Sequence, residues 1–192
     1  MKRGFKAEAA RTAIEIRAEL GLDDKDPFDP ARLALEYGVQ IYPVSRAAEW
    51  DCPSEILQHF ASDGKALFSA ALVPYMNGCF IIENDFHAVT RRRATLTHEM
   101  SHVILEHAFP ATIAWEGGCH TLDHEVEAEA DWLAGELLIP LNATRKLALR
   151  GFADKVIGNN YGISTARAAM RMNQSGSRTI ATRARAARVR RS

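Results

Sequence analysis

Two imidazoles four residues apart on a helix leave from one face and can reach a single metal ion, and a glutamate between them can take a proton from an attacking water. His98-Glu99-Met100-Ser101-His102 has this spacing. The chemistry implied is metal-assisted hydrolysis, with His98 and His102 as ligands and Glu99 as general base. No Pro or Gly interrupts the chain from Thr90 to His107, so a helix can carry all three residues. At about 100° per residue, Leu96, Met100, Val103 and Ile104 gather on one side and the two histidines fall roughly opposite. One side would pack and the other would face a cleft.

A catalytic zinc site usually takes a third protein ligand and keeps one position open. Acidic residues crowd the segment from His124 to Pro140. In a helix, Val126, Ala130, Leu133, Ala134 and Leu137 form an apolar arc, with Glu127 and Asp131 at its margin and Glu125, Glu129 and Glu136 on a far, solvated side. This phase favours Glu127 as the third ligand, with Glu129 the alternative. Asp131, one turn on, can accept the second N–H of a ligating histidine and so fix its tautomer.

These two blocks resemble the ImmA/IrrE-type zinc metallopeptidases of bacteria and their phages. Arg91 to His107 is similar to the family's basic lead-in, His-Glu-Leu-Gly-His core and trailing Leu-x-His, and Glu127 to Pro140 to the segment that supplies its third ligand. Met100-Ser101 stand where the family has Leu-Gly, Asp131 replaces the common Asn and Leu133 replaces Phe; no ligand or base is lost. Asp29 to Val39 is similar to the family's N-terminal helix. The resemblance implies a zincin-like α+β endopeptidase with a Zn2+ ion, and a protein substrate that is a helix-turn-helix repressor of a mobile element or stress response. The competing class is a non-catalytic DNA- or protein-binding module of the same fold, toxin- or antitoxin-like, for which Glu99 would have no chemical use.

The elements that must position these residues follow from turn signals. A helix over about Ala7 to Leu20 ends at Gly21, and a second starts with Asp29 as N-cap and Pro30 at the first position and stops near Gly38. Val39 to Val44 reads as a strand. Glu55 to Ala61 and Lys65 to Val73 read as strands about an Asp63-Gly64 turn, and Asn77-Gly78 introduces a further strand over Cys79 to Glu83. The expectation is a small antiparallel meander leading into the HExxH helix, its strand Cys79 to Glu83 either an edge that can pair with extended substrate or an interior strand already paired on both sides. Glu106 to Asp123 reads as a loop or lid. Cys119, His120 and His124 lack an established ligand spacing for a second metal, but His120, His124 or Tyr75 could stabilise an oxyanion.

With 192 residues, 47% of them hydrophobic, the chain can bury a core without staples. The expected division is a peptidase domain over 1–145, a helical segment over 146–176 around Tyr161-Gly162-Ile163-Ser164 that reads either as helix-turn-helix-like or as a helical hairpin on the core, and a tail over 177–192. Three scattered cysteines, no apolar leader and no run of about 18 apolar residues point to a cytoplasmic protein without a membrane partner. The net charge of zero hides an asymmetry: the tail holds six arginines and no acid, leaving 18 bases against 24 acids elsewhere. Such a tail is expected to be disordered, with nucleic acid as a possible partner through its arginines.

Overall fold

A computed structural model describes residues 1–62, 68–107 and 124–190. Their elements are α1 (Phe5–Glu19), α2 (Pro30–Glu36), β1 (Gln40–Pro43), a 3₁₀ helix (Val44–Trp50), α3 (Ser54–Ala61), β2 (Ala70–Tyr75), β3 (Gly78–Glu83), α4 (Val89–Ile104), α5 (His124–Leu138), α6 (Leu141–Arg150), α7 (Asp154–Tyr161), α8 (Thr165–Gln174) and α9 (Ser177–Val189). The class is α+β. Among the described residues no helix is long and apolar enough to cross a membrane. The chain divides into two compact units, one of residues 1–3 and 29–134, the other of 4–28 and 135–192.

In the first unit the sheet order is β1-β3-β2. β3 runs parallel to β1, with Gln40 opposite Phe80, and antiparallel to β2, with Tyr75 opposite Gly78. The sheet is therefore mixed, and the antiparallel meander is not what forms. Two differences from the sequence reading account for this. Glu55 to Ala61 is helical: Ile56, Leu57, Phe60 and Ala61 follow a 3.6-residue spacing rather than strict alternation, and Pro53 sits as the N-cap. The connection from β1 to β3 is also long enough for a parallel return. β3 is thus the interior strand, paired on both sides, and not the free edge that Cys79 to Glu83 could have formed. The Asp63-Gly64 turn lies outside the described residues, whereas Met76-Asn77 forms a two-residue hairpin loop in which Met76 takes φ +50°.

Alternation sets the faces of the sheet. Ile41, Leu72, Ile81 and Glu83 share one face, and Tyr42, Val73, Phe80 and Ile82 the other. Helix α4 lies on the first, where Arg92 grips the buried Glu83 carboxylate through two hydrogen bonds of 2.8 Å. Leu33 and Ala34 of α2, Ile81, and Leu96 and Met100 of α4 are buried in this unit's core.

In the second unit, α1 buries Phe5, Ala9, Ala13 and Ile16, a stripe at helical spacing. Arg17, also buried, donates to the Leu137 carbonyl at 2.7 Å and to the carbonyls of Asp23 and Asp26. Helices α7 and α8 meet across Gly162-Ile163-Ser164, where Ser164 caps α8 by accepting from the Arg167 amide. Gly158 permits that approach, since a Cβ there would stand 2.9 Å from the Ile163 carbonyl oxygen. The segment expected as a disordered tail over 177–192 is instead helical through Val189. Ser177 and Ala181 are buried, α9 packs on α6, and Arg185 donates to the Ala148 carbonyl. Alanine and arginine are strong helix formers, and that propensity outweighs the lack of acidic partners.

Candidate metal centre

Helix α4 presents its chemistry because its other sides are committed. Leu96 and Met100 are buried, as are Thr97 and Ser101, which replace Val103 and Ile104 on the packed side. The two hydroxyls fit an apolar setting by bonding back to the helix: Thr97 Oγ1 donates to the Arg93 carbonyl at 2.7 Å and Ser101 Oγ to the Thr97 carbonyl at 2.8 Å. Ser101 in place of glycine is thereby accommodated within its own helix.

His98 Nε2 and His102 Nε2 stand 3.1 Å apart. Glu127 of α5 places Oε2 3.2 Å from the first and Oε1 3.3 Å from the second. Ligands held tetrahedrally at about 2.0–2.1 Å from a zinc ion are separated by about 3.3 Å. The triangle therefore has the size, and the nitrogen and carboxylate donors the type, that zinc takes; among the described residues this is the group suited to hold a metal. Asp131 Oδ1 lies 3.2 Å from His98 Nδ1. A carboxylate only accepts, so His98 in its neutral form carries its proton on Nδ1 and turns the Nε2 lone pair toward the triangle.

Electrostatics sort the titrating groups. Burial pushes Glu99 up to about 7, the Glu127 charge adds to this, and His98 and a hydrogen bond from the Leu72 backbone oppose it. His102 is pushed down to about 4, first by burial and then by His98 and His107, so it is neutral and free to ligate near pH 7. Burial also acts to lower His98, but its bond to Asp131 and the charges of Glu99, Asp131 and Glu127 prevail and hold it above its ordinary value. Since Leu72 belongs to β2, the strand beside Glu99 is β2. Among the described residues its outer side carries no strand.

The structure brings His98, His102, Glu127 and Asp131 together, with Glu99 on the same helix. It corrects the reading of Glu129 and Glu136 as solvated: Glu129 is 7% and Glu136 1% exposed. Glu129 accepts from the Lys2 amide at 2.9 Å and faces His107 Nε2 at 3.8 Å, while Glu136 pairs with the buried Arg171 at 2.7 Å. Of the oxyanion candidates, Tyr75 lies on the sheet face opposite α4, edge-on to Phe80, and His124 is exposed. His120 and Cys119 lie outside the described residues. One contributor had no assigned role in the sequence reading: His107 Nδ1 meets His102 Nδ1 at 2.9 Å. A third histidine five residues beyond His102, just past the end of α4, was the available signal.

Two histidines and a carboxylate gathered beside a half-buried glutamate, in an α+β fold with a small mixed sheet, define a metallopeptidase-type site. The chain belongs to the peptidase family M78, IrrE N-terminal-like domain, whose family model matches residues 57–173, more than half of its length. The matched range takes in both helices that carry the site. No curated protein and no solved structure matches the chain.

Proposed function

We propose that the chain is a zinc-dependent, zincin-like endopeptidase of the cytoplasm that cuts a partner protein. The observation that carries this reading is the convergence of His98, His102 and Glu127 to within 3.1–3.3 Å of one another on the helix that also bears Glu99. A zinc ion held there would polarise the scissile carbonyl and acidify the attacking water. Glu99, raised to about 7 in the metal-free chain, takes the proton of that water and passes it to the leaving amine. Asp131 orients His98. The outer edge of β2, next to Glu99, offers main-chain groups to an extended peptide, the role that an edge at Cys79 to Glu83 would have had.

The family resemblance supports a helix-turn-helix repressor of a mobile element or stress response as the substrate. The test is incubation of the purified, zinc-loaded chain with such a regulator encoded beside it, followed by mass spectrometry. A discrete fragment that vanishes with chelator, returns with zinc and is absent with Glu99→Gln supports the reading; no metal-dependent fragment rejects it. A nucleic-acid contact is the second reading. Exposed Arg183 on α9 and Arg190 just past its end favour it, and a salt-dependent mobility shift tests it.

A further inference from the structure

His102 and His107 meet through their Nδ1 atoms at 2.9 Å. Two nitrogens at that distance need one proton between them, so one ring donates and the other accepts. If His107 donates, neutral His102 must carry its own proton on Nε2, directed at His98 Nε2 and Glu127 Oε1, and the metal position is blocked. If His102 donates, its Nε2 lone pair faces that position. The choice is made at the far side of His107. There its Nε2 faces the Glu129 carboxylate at 3.8 Å, whose negative charge favours a proton on that nitrogen. A neutral imidazole with its proton on Nε2 has only a lone pair on Nδ1.

We propose that His107 and Glu129 are positioning residues: Glu129 fixes the proton of His107 on Nε2, so that His107 Nδ1 accepts from His102 Nδ1 and aims the His102 Nε2 lone pair at the metal. The proposal rests on the reading of His98, His102 and Glu127 as ligands. Three further features hold the relay in place. The side chains of His107 and Glu129 are only 10% and 9% exposed, so water does not compete freely for these bonds. The second Glu129 oxygen accepts from the Lys2 amide at 2.9 Å, which pins the carboxylate. The chain reverses after α4 through Glu106 at φ +49°, a conformation L-residues rarely adopt, and the His107 amide then donates to the His102 carbonyl at 3.1 Å. His98 is oriented by one carboxylate, Asp131, whose side chain is 48% exposed; His102 is oriented through a buried ring and a second carboxylate.

The test uses the full chain, ¹⁵N-labelled and metal-free, with long-range ¹H–¹⁵N spectra reporting the His102 tautomer, together with zinc affinity from chelator competition. In the wild type, His102 should be protonated on Nδ1. His107→Phe, which keeps a ring but offers no acceptor, should move the proton toward Nε2 and weaken zinc binding by about 10- to 100-fold. Glu129→Leu should do the same without touching His102. The proposal is overturned if His102 carries its proton on Nε2 in the wild type, or if either tautomer or affinity is unmoved in both variants. Zinc binding that survives replacement of both His98 and His102 by alanine would instead reject the triad, and the metal-free tautomer would still decide the relay.

Discussion

Zinc uptake at pH 6 should release close to two protons, and neither should come from His102. The count follows from the metal-free site. His98, held above its ordinary value, is largely doubly protonated at pH 6, and Glu99, at about 7, is about nine-tenths protonated. His102, at about 4, is protonated in about one molecule in a hundred. Ligation expels the second proton of His98, and the dication beside Glu99 ionises its carboxyl. Apparent zinc affinity therefore rises with pH by close to two log units per unit near pH 6 and progressively less steeply as the pH passes about 7, because the metal-bound state holds fewer protons than the free one. Calorimetric titration in buffers of different ionisation enthalpy gives the proton number directly. Glu99→Gln should reduce it to about one. A wild-type release near three would mean that His102 is not held neutral, and an unchanged release in Glu99→Gln would mean that burial does not raise Glu99; either result refutes the electrostatic account.

Three further outcomes are expected. Glu99→Gln should retain stoichiometric zinc by metal analysis while substrate cleavage falls by about two to four orders of magnitude, as for loss of a general base. Glu136→Leu should destabilise the chain by about 3–5 kcal/mol in urea unfolding, since it strands a buried Arg171 whose attraction at 2.7 Å is worth about 6 kcal/mol at an effective dielectric of about 20. The double variant with Arg171→Met should recover most of that loss, and a double variant no better than the single would refute the stranded-charge explanation. Truncation after Gly176, which the sequence alone would treat as harmless, removes the buried Ser177 and Ala181 and the Thr144–Ser177 hydroxyl bond of 2.8 Å; it should lower the melting temperature by several degrees, and an unchanged value would show that α9 is dispensable.

How much was legible depended on whether the controlling interaction was local. The helix limits came from nearest neighbours: Asp29 accepts from the Ala31 amide as N-cap, Pro30 occupies the first turn, and Gly21 and Gly38 take positive φ where helices stop. The convergence of His98, His102 and Glu127 was legible because the i, i+4 spacing of α4 and the phase of α5 each constrain a face. The sheet was not, because strand order is a long-range property. Nothing local to Cys79 to Glu83 says that β1 will pair beside it in parallel, and once it does the outer strands among the described residues are β1 and β2. Within Glu55 to Ala61, apolar content was read as strand although the spacing was helical.

The acidic residues of α5 show why helical phase tells which side chains share a face more securely than it tells which are buried. Phase separates Glu127 and Asp131 from Glu125, Glu129 and Glu136, and the first two do face the histidines. It assigns the other three to water on the assumption that a helix has one wet side. Glu125 agrees, with its side chain 71% exposed. Glu129 and Glu136 are buried because each has a partner from a distant part of the sequence, His107 and the Lys2 amide for one and Arg171 for the other, to which the nearby Leu141 amide adds a hydrogen bond. Burying a carboxylate is costly unless its charge is balanced and its lone pairs are filled, and a helical wheel contains neither condition. The two acids that phase dismisses are therefore the ones whose environments most need explaining. One secures the packing of α8 through Arg171, and the other stands behind His107, whose ring meets that of His102.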